Sequence, residues 1–129
     1  MQCPEVRITC LLNRGKSTVL VAGGRNTPTT IAKGAEVLDA SSLKWNNVSQ
    51  ILLACNWQAG ILMPSDRYMI TGGYSGGDLS TNTIVNSTPT CEWYDNAHNG
   101  WYYAPTMNLL RSEHGGIYMH QTVNNDLAD

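Results

Sequence analysis

A short apolar run that ends in two glycines occurs twice in the sequence, and this repetition constrains the fold more than any other feature. The copies are residues 17–24 (STVLVAGG) and residues 66–73 (DRYMITGG), and their glycine pairs are 49 positions apart (72 − 23). Continuous apolar runs of this length are typical of strands buried on both faces, and a terminal glycine pair suits close backbone approach or positive φ. The chain is therefore predicted to be a tandem repeat of a β-sheet unit.

A second pair of anchors follows each run. Asp39 stands six positions before Trp45, and Asp95 stands six positions before Trp101 (45 − 39 and 101 − 95). The two tryptophans are 56 positions apart (101 − 45), so the period is near 50 residues. We expect the aspartates to accept hydrogen bonds in turns and the tryptophans to pack between neighbouring sheets.

With these residues in place, the sequence resembles the kelch-repeat family. The unit of that family has an Arg/His-Gly element, a strand into Gly-Gly, a Tyr-Asp strand and a Trp. The residues at those places are Gly23, Gly24, Asp39, Trp45, Gly72, Gly73, Tyr94, Asp95, Trp101, Arg111, His114 and Gly115. The first copy has Leu38 where the family has tyrosine. The resemblance implies an all-β fold, namely a fragment of a kelch-type β-propeller with about two four-stranded blades and the first strand of a third.

The turn signals organise residues 1–129 as one partial propeller. The first blade is predicted at about 7–50, the second at about 56–105, and the start of the next at about 111–120. The loop at 74–90 is seven residues longer than its counterpart (92 − 73 against 36 − 24) and rich in Gly, Ser and Thr, so we expect it to be the most mobile part.

A closed propeller has about 4–8 blades, so two blades and one strand leave sheet faces without a neighbour. The side chains expected on incompletely covered faces are those of Val19, Val21, Tyr68, Ile70 and Tyr94. A monomer tolerates an exposed apolar patch of only about a few hundred Å². We therefore expect the remaining blades to come from a longer parent chain or from self-association.

Composition excludes two classes of partner. Charged residues make up 14% of the chain, the net charge is −2, and the few basic residues are scattered, which argues against nucleic acid. No window approaches 18 consecutive apolar residues, so no membrane span is expected. The first residues show no features of a secretion signal, which slightly favours a cytoplasmic location; the compartment is otherwise undetermined.

A search for chemical motifs predicts no metal, no cofactor and no catalytic residue. The cysteines contain no CxxC pair, and the histidines are not spaced as a ligand cluster. Cys10 is expected to be a small buried thiol, and His114 to have a structural role. The sequence contains two N-glycosylation tripeptides, at 47–49 and 86–88, which would be used only in a secreted parent protein.

The resemblance to kelch proteins implies a non-catalytic protein-interaction module that acts as an adaptor or scaffold through its loops. The connections after the glycine pairs differ in length and composition between the copies, as a binding surface would. We predict Arg25, Asn26, Tyr74 and Asp78 as contacts with a protein partner, because Tyr and Arg are enriched at interfaces and Asn and Asp orient partners by hydrogen bonds.

An enzymatic alternative comes from a second resemblance. Residues 62–73 are similar to the turn, strand and glycine pair of galactose oxidase and its copper-radical relatives, which also contain kelch-type blades. Those enzymes require a Cys crosslinked to a Tyr, a second Tyr and two His from several blades and a further domain. No residue of this sequence can be assigned to these roles by motif. On this hypothesis the chain is a fragment of a galactose or glyoxal oxidase-like copper enzyme.

Overall fold

The computed structural model describes residues 9–13, 16–27, 30–76, 86–117 and 119. These described residues form eight strands of five residues each: β1 Thr9–Asn13, β2 Thr18–Ala22, β3 Ala35–Asp39, β4 Lys44–Val48, β5 Ala59–Met63, β6 Arg67–Thr71, β7 Cys91–Asp95 and β8 Gly100–Ala104. Within the described residues, no helix has the length and apolar character needed to cross a membrane.

The strands form two four-stranded antiparallel sheets, ordered β1-β2-β3-β4 and β5-β6-β7-β8. Each sheet is a meander in which every strand pairs with the next one along the chain, and β1 lies beside β5. The all-β prediction is confirmed, and the two sheets are two blades of a propeller fragment. We call β1–β4 the first blade and β5–β8 the second blade.

The repetition extends to backbone conformations that the sequence did not reveal. Three pairs of non-glycine residues with positive φ occupy matching places in the two copies. They are Ser17 (51°) and Asp66 (57°), Leu43 (55°) and Asn99 (47°), and Trp57 (57°) and Glu113 (53°). Left-handed backbone is uncommon for such residues, so its recurrence shows that the copies share their turns as well as their strands. The members of the last two pairs are 56 positions apart (99 − 43 and 113 − 57).

The hydrophobic core lies between the blades. Directly paired residues of neighbouring strands share a sheet face. The forward face of the first blade carries Leu20, Ala22, Ala35, Val37 and Val48, and the rear face of the second blade carries Tyr68, Ile70, Glu92, Tyr94 and Trp101. The apolar members of these two faces form a single cluster. Thr18 Oγ1 and Tyr68 OH, 3.1 Å apart, join the two blades by a hydrogen bond.

One expectation about the faces is wrong. Tyr68, Ile70 and Tyr94 are buried rather than short of a neighbour, because they lie on the face that the first blade covers. Val19 and Val21 are only partly buried, as expected, since the corresponding face of the first blade has no neighbour among the described residues.

The glycine pairs stand where the chain enters the following blade. Gly23 and Gly72 have φ of 68° and 63°. A Cβ on Gly23 would lie 2.6 Å from the Cys55 carbonyl oxygen, and one on Gly72 would overlap the Arg111 carbonyl oxygen. The second glycine of each pair donates its amide to that carbonyl oxygen: Gly24 donates to Cys55 over 3.1 Å, and Gly73 donates to Arg111 over 2.8 Å. The predicted need for positive φ and close approach is therefore confirmed.

The segment predicted to open a third blade has no paired strand in the part the structure describes. Within 111–117, Arg111 forms only an isolated bridge with Thr88. The first strand of each blade pairs with the second strand of the same blade, and no such partner for this segment is among the described residues. Gly115 has open space around its Cβ position, whereas a Cβ on Gly116 would lie 2.7 Å from Ile61.

Candidate functional site

Arg25, predicted to be an exposed contact, is instead buried, with 3% of its surface accessible. Its Nη2 donates to the Gly76 carbonyl oxygen over 3.2 Å, and so reaches 51 residues along the chain. A buried guanidinium requires such partners because an unpaired buried charge is costly. The prediction for Arg25 is corrected: the side chain links the first blade to the loop that follows the second glycine pair.

Asn56 is the centre of this link and was not predicted. With its amide oriented by its partners, the Asn56 side-chain oxygen accepts from Arg25 Nε at 2.8 Å and its nitrogen donates to the Tyr74 carbonyl at 2.9 Å. The backbones of Asn56 and Tyr74 exchange two further hydrogen bonds, of 3.1 and 2.8 Å. The Tyr74 ring meets Trp57 edge to face, with centroids 5.0 Å apart. The structure thus brings Arg25 and Tyr74 together, but as parts of a blade junction.

The other two predicted contacts are placed differently. Asn26 is exposed, and it lies beside an open cleft of about 630 Å³ on the first blade. The polar side chains around this cleft are Asn26, Glu36, Asn47 and Gln50. Asp78 lies outside the described residues, as does most of the long loop at 74–90, so the expectation of mobility there stays a prediction.

A buried carboxylate joins the two blades. Glu92, 2% exposed, accepts the backbone amides of Leu52 and Leu53, each over 2.7 Å. Burial raises the pKa of Glu92 above its ordinary value, an effect opposed by these two amides and by Lys33. Its counterpart Glu36 is exposed in the cleft of the first blade. The glutamate at this repeated position is therefore buried in the second blade and exposed in the first.

The repeated tryptophans differ in the same way. Trp101 is 6% exposed, and its Nε1 donates to the Ser49 carbonyl oxygen over 2.7 Å, which confirms its burial between the blades. Trp45 is 50% exposed, so its predicted packing between blades is wrong for the described structure. The physical reason is that Trp45 lies on the rear face of the first blade, where no described residues form a preceding blade.

The forward face of the second blade carries an aromatic stack. The Arg67 guanidinium lies 4.6 Å from the centre of the Trp93 ring, and the Trp93 and Tyr102 rings stack with centroids 4.8 Å apart. A smaller cavity of about 220 Å³ opens beside them, between Met63, Met69 and the end of β8. This face carries apolar and aromatic side chains together with the paired charges of Arg67 and Asp95.

The predicted turn aspartates behave alike in both blades. Asp39 accepts the Ser41 amide at 2.8 Å, and hydrogen bonds from Ser41 and Ser42 lower its pKa to about 2. Asp95 accepts the Ala97 amide at 3.0 Å and contacts His98 Nδ1 at 2.7 Å, and the hydrogen bond with His98 is the main cause of its lowered pKa. The predicted role of these residues in turns is confirmed.

The described residues do not fit a metal or nucleophilic centre. No group of three or more His, Cys, Asp and Glu in the described part of the chain could hold a metal ion. Cys55 and Cys91 are free and buried, and burial raises both pKa values, that of Cys55 to about 12, which keeps the thiols protonated. His114 Nε2 lies 2.9 Å from Thr71 Oγ1, a contact within the scaffold. The side chain of Cys10 is outside the described part.

Comparison with known proteins identifies a structural neighbour. The chain is similar in fold to a fungal alcohol oxidase of the AA5 family, solved in complex with copper. The TM-score is 0.67 and the sequence identity is 14%; the match covers 82% of this chain and 23% of the oxidase chain. No protein-family model and no curated protein matches the sequence. At this identity the similarity shows the fold alone, and this chain spans less than a quarter of that oxidase.

Proposed function

We propose that the chain contributes two scaffold blades to a propeller of the copper-oxidase type and carries none of the catalytic ligands in its described residues. The observation that carries the proposal is the backbone similarity to the copper-bound alcohol oxidase over 82% of the chain. The 23% coverage of that oxidase leaves most of such a protein, including room for metal ligands, outside the matched region. The absence of a ligand cluster among the described residues is compatible with a scaffold role.

The scaffold role has a physical basis in the junction between the blades. Glu92, Trp101 and Asn56 are buried side chains, and each joins segments that are distant along the chain by hydrogen bonds. Satisfied buried polar networks specify a single arrangement of the groups that they connect. Two blades locked in this way would hold the loops at their ends in fixed positions, as a catalytic centre assembled from several blades requires.

Two measurements test this proposal. The complete open reading frame should encode further blades with Tyr, His and Cys residues suitable for copper. Purified 129-residue protein, titrated with Cu(II) and followed by electron paramagnetic resonance, should show no stoichiometric site and release no peroxide from primary alcohols. An upstream BTB-type domain in the reading frame, or a stoichiometric copper site with peroxide release in the isolated chain, would overturn the scaffold proposal.

A protein-interaction module of the kelch adaptor type is the second candidate, and the exposed loop that begins at Asn26 favours it. The Asn26 amide donates to the Thr30 carbonyl at 3.0 Å, and the Thr30 amide donates to Thr27 Oγ1 at 3.0 Å. The buried Arg25 anchors the base of this loop. Binding residues are commonly found on loops held by a rigid scaffold, so Asn26 is the better contact candidate and Arg25 its support.

The pair Asn26→Ala and Arg25→Ala separates contact from support. Asn26→Ala should reduce recovery of a protein partner on an immobilised chain without changing the urea midpoint. Arg25→Ala should instead cost about 1–3 kcal/mol of unfolding free energy, because Asn56 and Gly76 lose a buried partner. Equal partner recovery with wild type and Asn26→Ala would contradict the adaptor role of this loop.

A further inference from the structure

The N-glycosylation tripeptide at 47–49 lies at the edge of the first blade. Asn47 is on β4, the edge strand of that sheet, where it pairs with Glu36 of β3 and is exposed. The middle residue, Val48, points to the other face of the sheet and packs against the hydrophobic core. An acceptor asparagine must lie on the surface of the folded protein, because a glycan is bulky and polar. Asn47 meets this condition.

The exposure of Asn47 does not depend on an uncovered blade face. Tyr103 is at the equivalent place in the second blade, because it pairs with Glu92 as Asn47 pairs with Glu36. The first blade covers this face of the second blade and buries Glu92, yet Tyr103 remains 62% exposed. This place in the repeat is therefore at the surface even beside a docked preceding blade, and it accommodates a side chain much larger than asparagine.

The third residue of the tripeptide is part of the blade junction. The Ser49 hydroxyl donates to the Asn99 carbonyl oxygen, and the Ser49 amide donates to Asn99 Oδ1 over 2.9 Å. The Ser49 carbonyl oxygen accepts from Trp101 Nε1 over 2.7 Å. The tripeptide is recognised through the hydroxyl of its third residue. A glycan on Asn47 must therefore be attached before the second blade docks on Ser49.

We propose that Asn47 is an acceptor for an N-linked glycan. The donor is an oligosaccharide carried on a lipid pyrophosphate. Asn47 Nδ2 forms a bond to the anomeric carbon of the first sugar, and the bond from that carbon to the pyrophosphate breaks. The lipid pyrophosphate leaves with the electron pair, and the carboxamide loses one proton. The transferase is a separate protein of the secretory pathway, so the inference assigns the chain to a parent that enters this pathway.

This inference is independent of the scaffold proposal. It uses no metal ligand and no partner-binding residue, so either idea can fail while the other holds. It does oppose the slight preference for a cytoplasmic location that the first residues of the sequence suggest.

A secretion experiment tests Asn47 alone. The 129-residue chain with Asn86→Gln is expressed behind a secretory leader in a eukaryotic host, so that the tripeptide at 86–88 cannot contribute. The secreted protein should carry one glycan per chain that peptide N-glycosidase removes, and mass spectrometry should place the resulting aspartate at position 47. Adding Asn47→Gln should abolish the glycan and leave the urea midpoint unchanged, because this side chain is exposed.

A matched variant tests whether this place stays accessible beside a docked blade. In the chain with Asn47→Gln and Asn86→Gln, the substitutions Tyr103→Asn and Pro105→Ser create a tripeptide of the same kind at two exposed positions of the second blade. The secreted protein should again carry one glycan. Its urea midpoint should equal that of the same protein after enzymatic removal of the glycan, because the glycan lies outside the junction.

The engaged hydroxyl of Ser49 provides a second readout. A peptide of residues 44–52 should be glycosylated by purified transferase with a lipid-linked donor. Folded protein made in bacteria should react about tenfold more slowly or less, because the junction must first open locally. Secreted, folded protein without a glycan at position 47, or a glycan there only on protein retained in the cell, would overturn the proposal. Equal rates for peptide and folded protein would overturn the inferred order of attachment and docking.

Discussion

The two blades have nearly the same backbone and different surroundings. Glu92 and Trp101 in the second blade are buried and hydrogen-bonded to the first blade, while Glu36 and Trp45, at the same places in the first blade, are exposed. The difference shows that a repeated motif determines where a side chain lies on its blade. Whether that side chain is buried depends on the neighbouring blade.

The largest expected difference between the blades concerns the tryptophans. Trp101→Ala should cost about 3–5 kcal/mol of unfolding free energy, because it removes a buried ring and its hydrogen bond to Ser49. Trp45→Ala should cost less than about 1 kcal/mol, as substitutions at exposed positions usually do. Urea unfolding of the two variants, with unchanged m-values, would measure both.

The glutamates give the second comparison. Glu92→Ala leaves the partly buried backbone amides of Leu52 and Leu53 without this acceptor, at a cost of about 1–3 kcal/mol in total. Glu36→Ala removes an exposed carboxylate and should change stability by less than about 0.5 kcal/mol. Similar losses for the two variants in the same unfolding assay would show that the blades are not asymmetric in this way.

The pH dependence of Glu92 sharpens this test. Burial raises the folded pKa of Glu92 above the ordinary value of 4.5, so its protonated form is favoured in the folded state. This contribution to stability is complete below the unfolded pKa and is lost as pH rises through the folded pKa. Wild type should therefore lose stability relative to Glu92→Gln as pH rises from about 4.5 towards neutrality.

Much of the fold could be predicted because its determinants are local. The apolar runs before Gly23 and Gly72 and the aspartate-to-tryptophan spacing define strands and turns within single blades, and the structure has four strands in each. The face of a strand that meets another blade depends on contacts beyond the repeat. For this reason Tyr68 and Val19, at equivalent places, could not be distinguished from the sequence.

The candidate site was less predictable for a related reason. The position of Arg25 in a loop suggested exposure, and its burial follows from Asn56 and Gly76, which are far along the chain and share no motif with it. Asn56 itself stands just before β5 and has no repeated counterpart of the same type. The one sequence signal for the burial of Arg25 was its place directly after a glycine pair, where the chains of neighbouring blades approach closely.

The glycine pairs provide a prediction in which the two blades should behave alike. Gly72→Ala and Gly23→Ala should each cost about 1–3 kcal/mol, because both glycines have positive φ and face a carbonyl oxygen of the entering chain. Valine at either site should cost more. Gly34→Ala is the matched control, since no atom lies within 4 Å of its Cβ position and its φ is not in the left-handed region. An unfolding midpoint equal to that of Gly34→Ala would show that the pair is not needed for backbone reasons.

The smallest expected effect concerns the turn aspartates, which are partly exposed and make their hydrogen bonds within one blade. The folded pKa of Asp39 is lowered to about 2 from 3.8, and that of Asp95 is also lowered. A lowered folded pKa contributes stability above the unfolded pKa, and this contribution is lost as pH falls through the folded pKa. The stability difference between wild type and Asp39→Asn should therefore be largest above about pH 4 and shrink towards pH 2, with Asp95→Asn following the same direction.

Neither of these turns depends on a neighbouring blade. Equal behaviour of the two aspartate variants, together with unequal behaviour of the glutamate variants, would therefore locate the asymmetry of the molecule at the blade junction. A difference that grows as pH falls, measured by urea unfolding at pH 6, 4 and 3, would contradict the proposed role of the Ser41 and Ser42 hydrogen bonds.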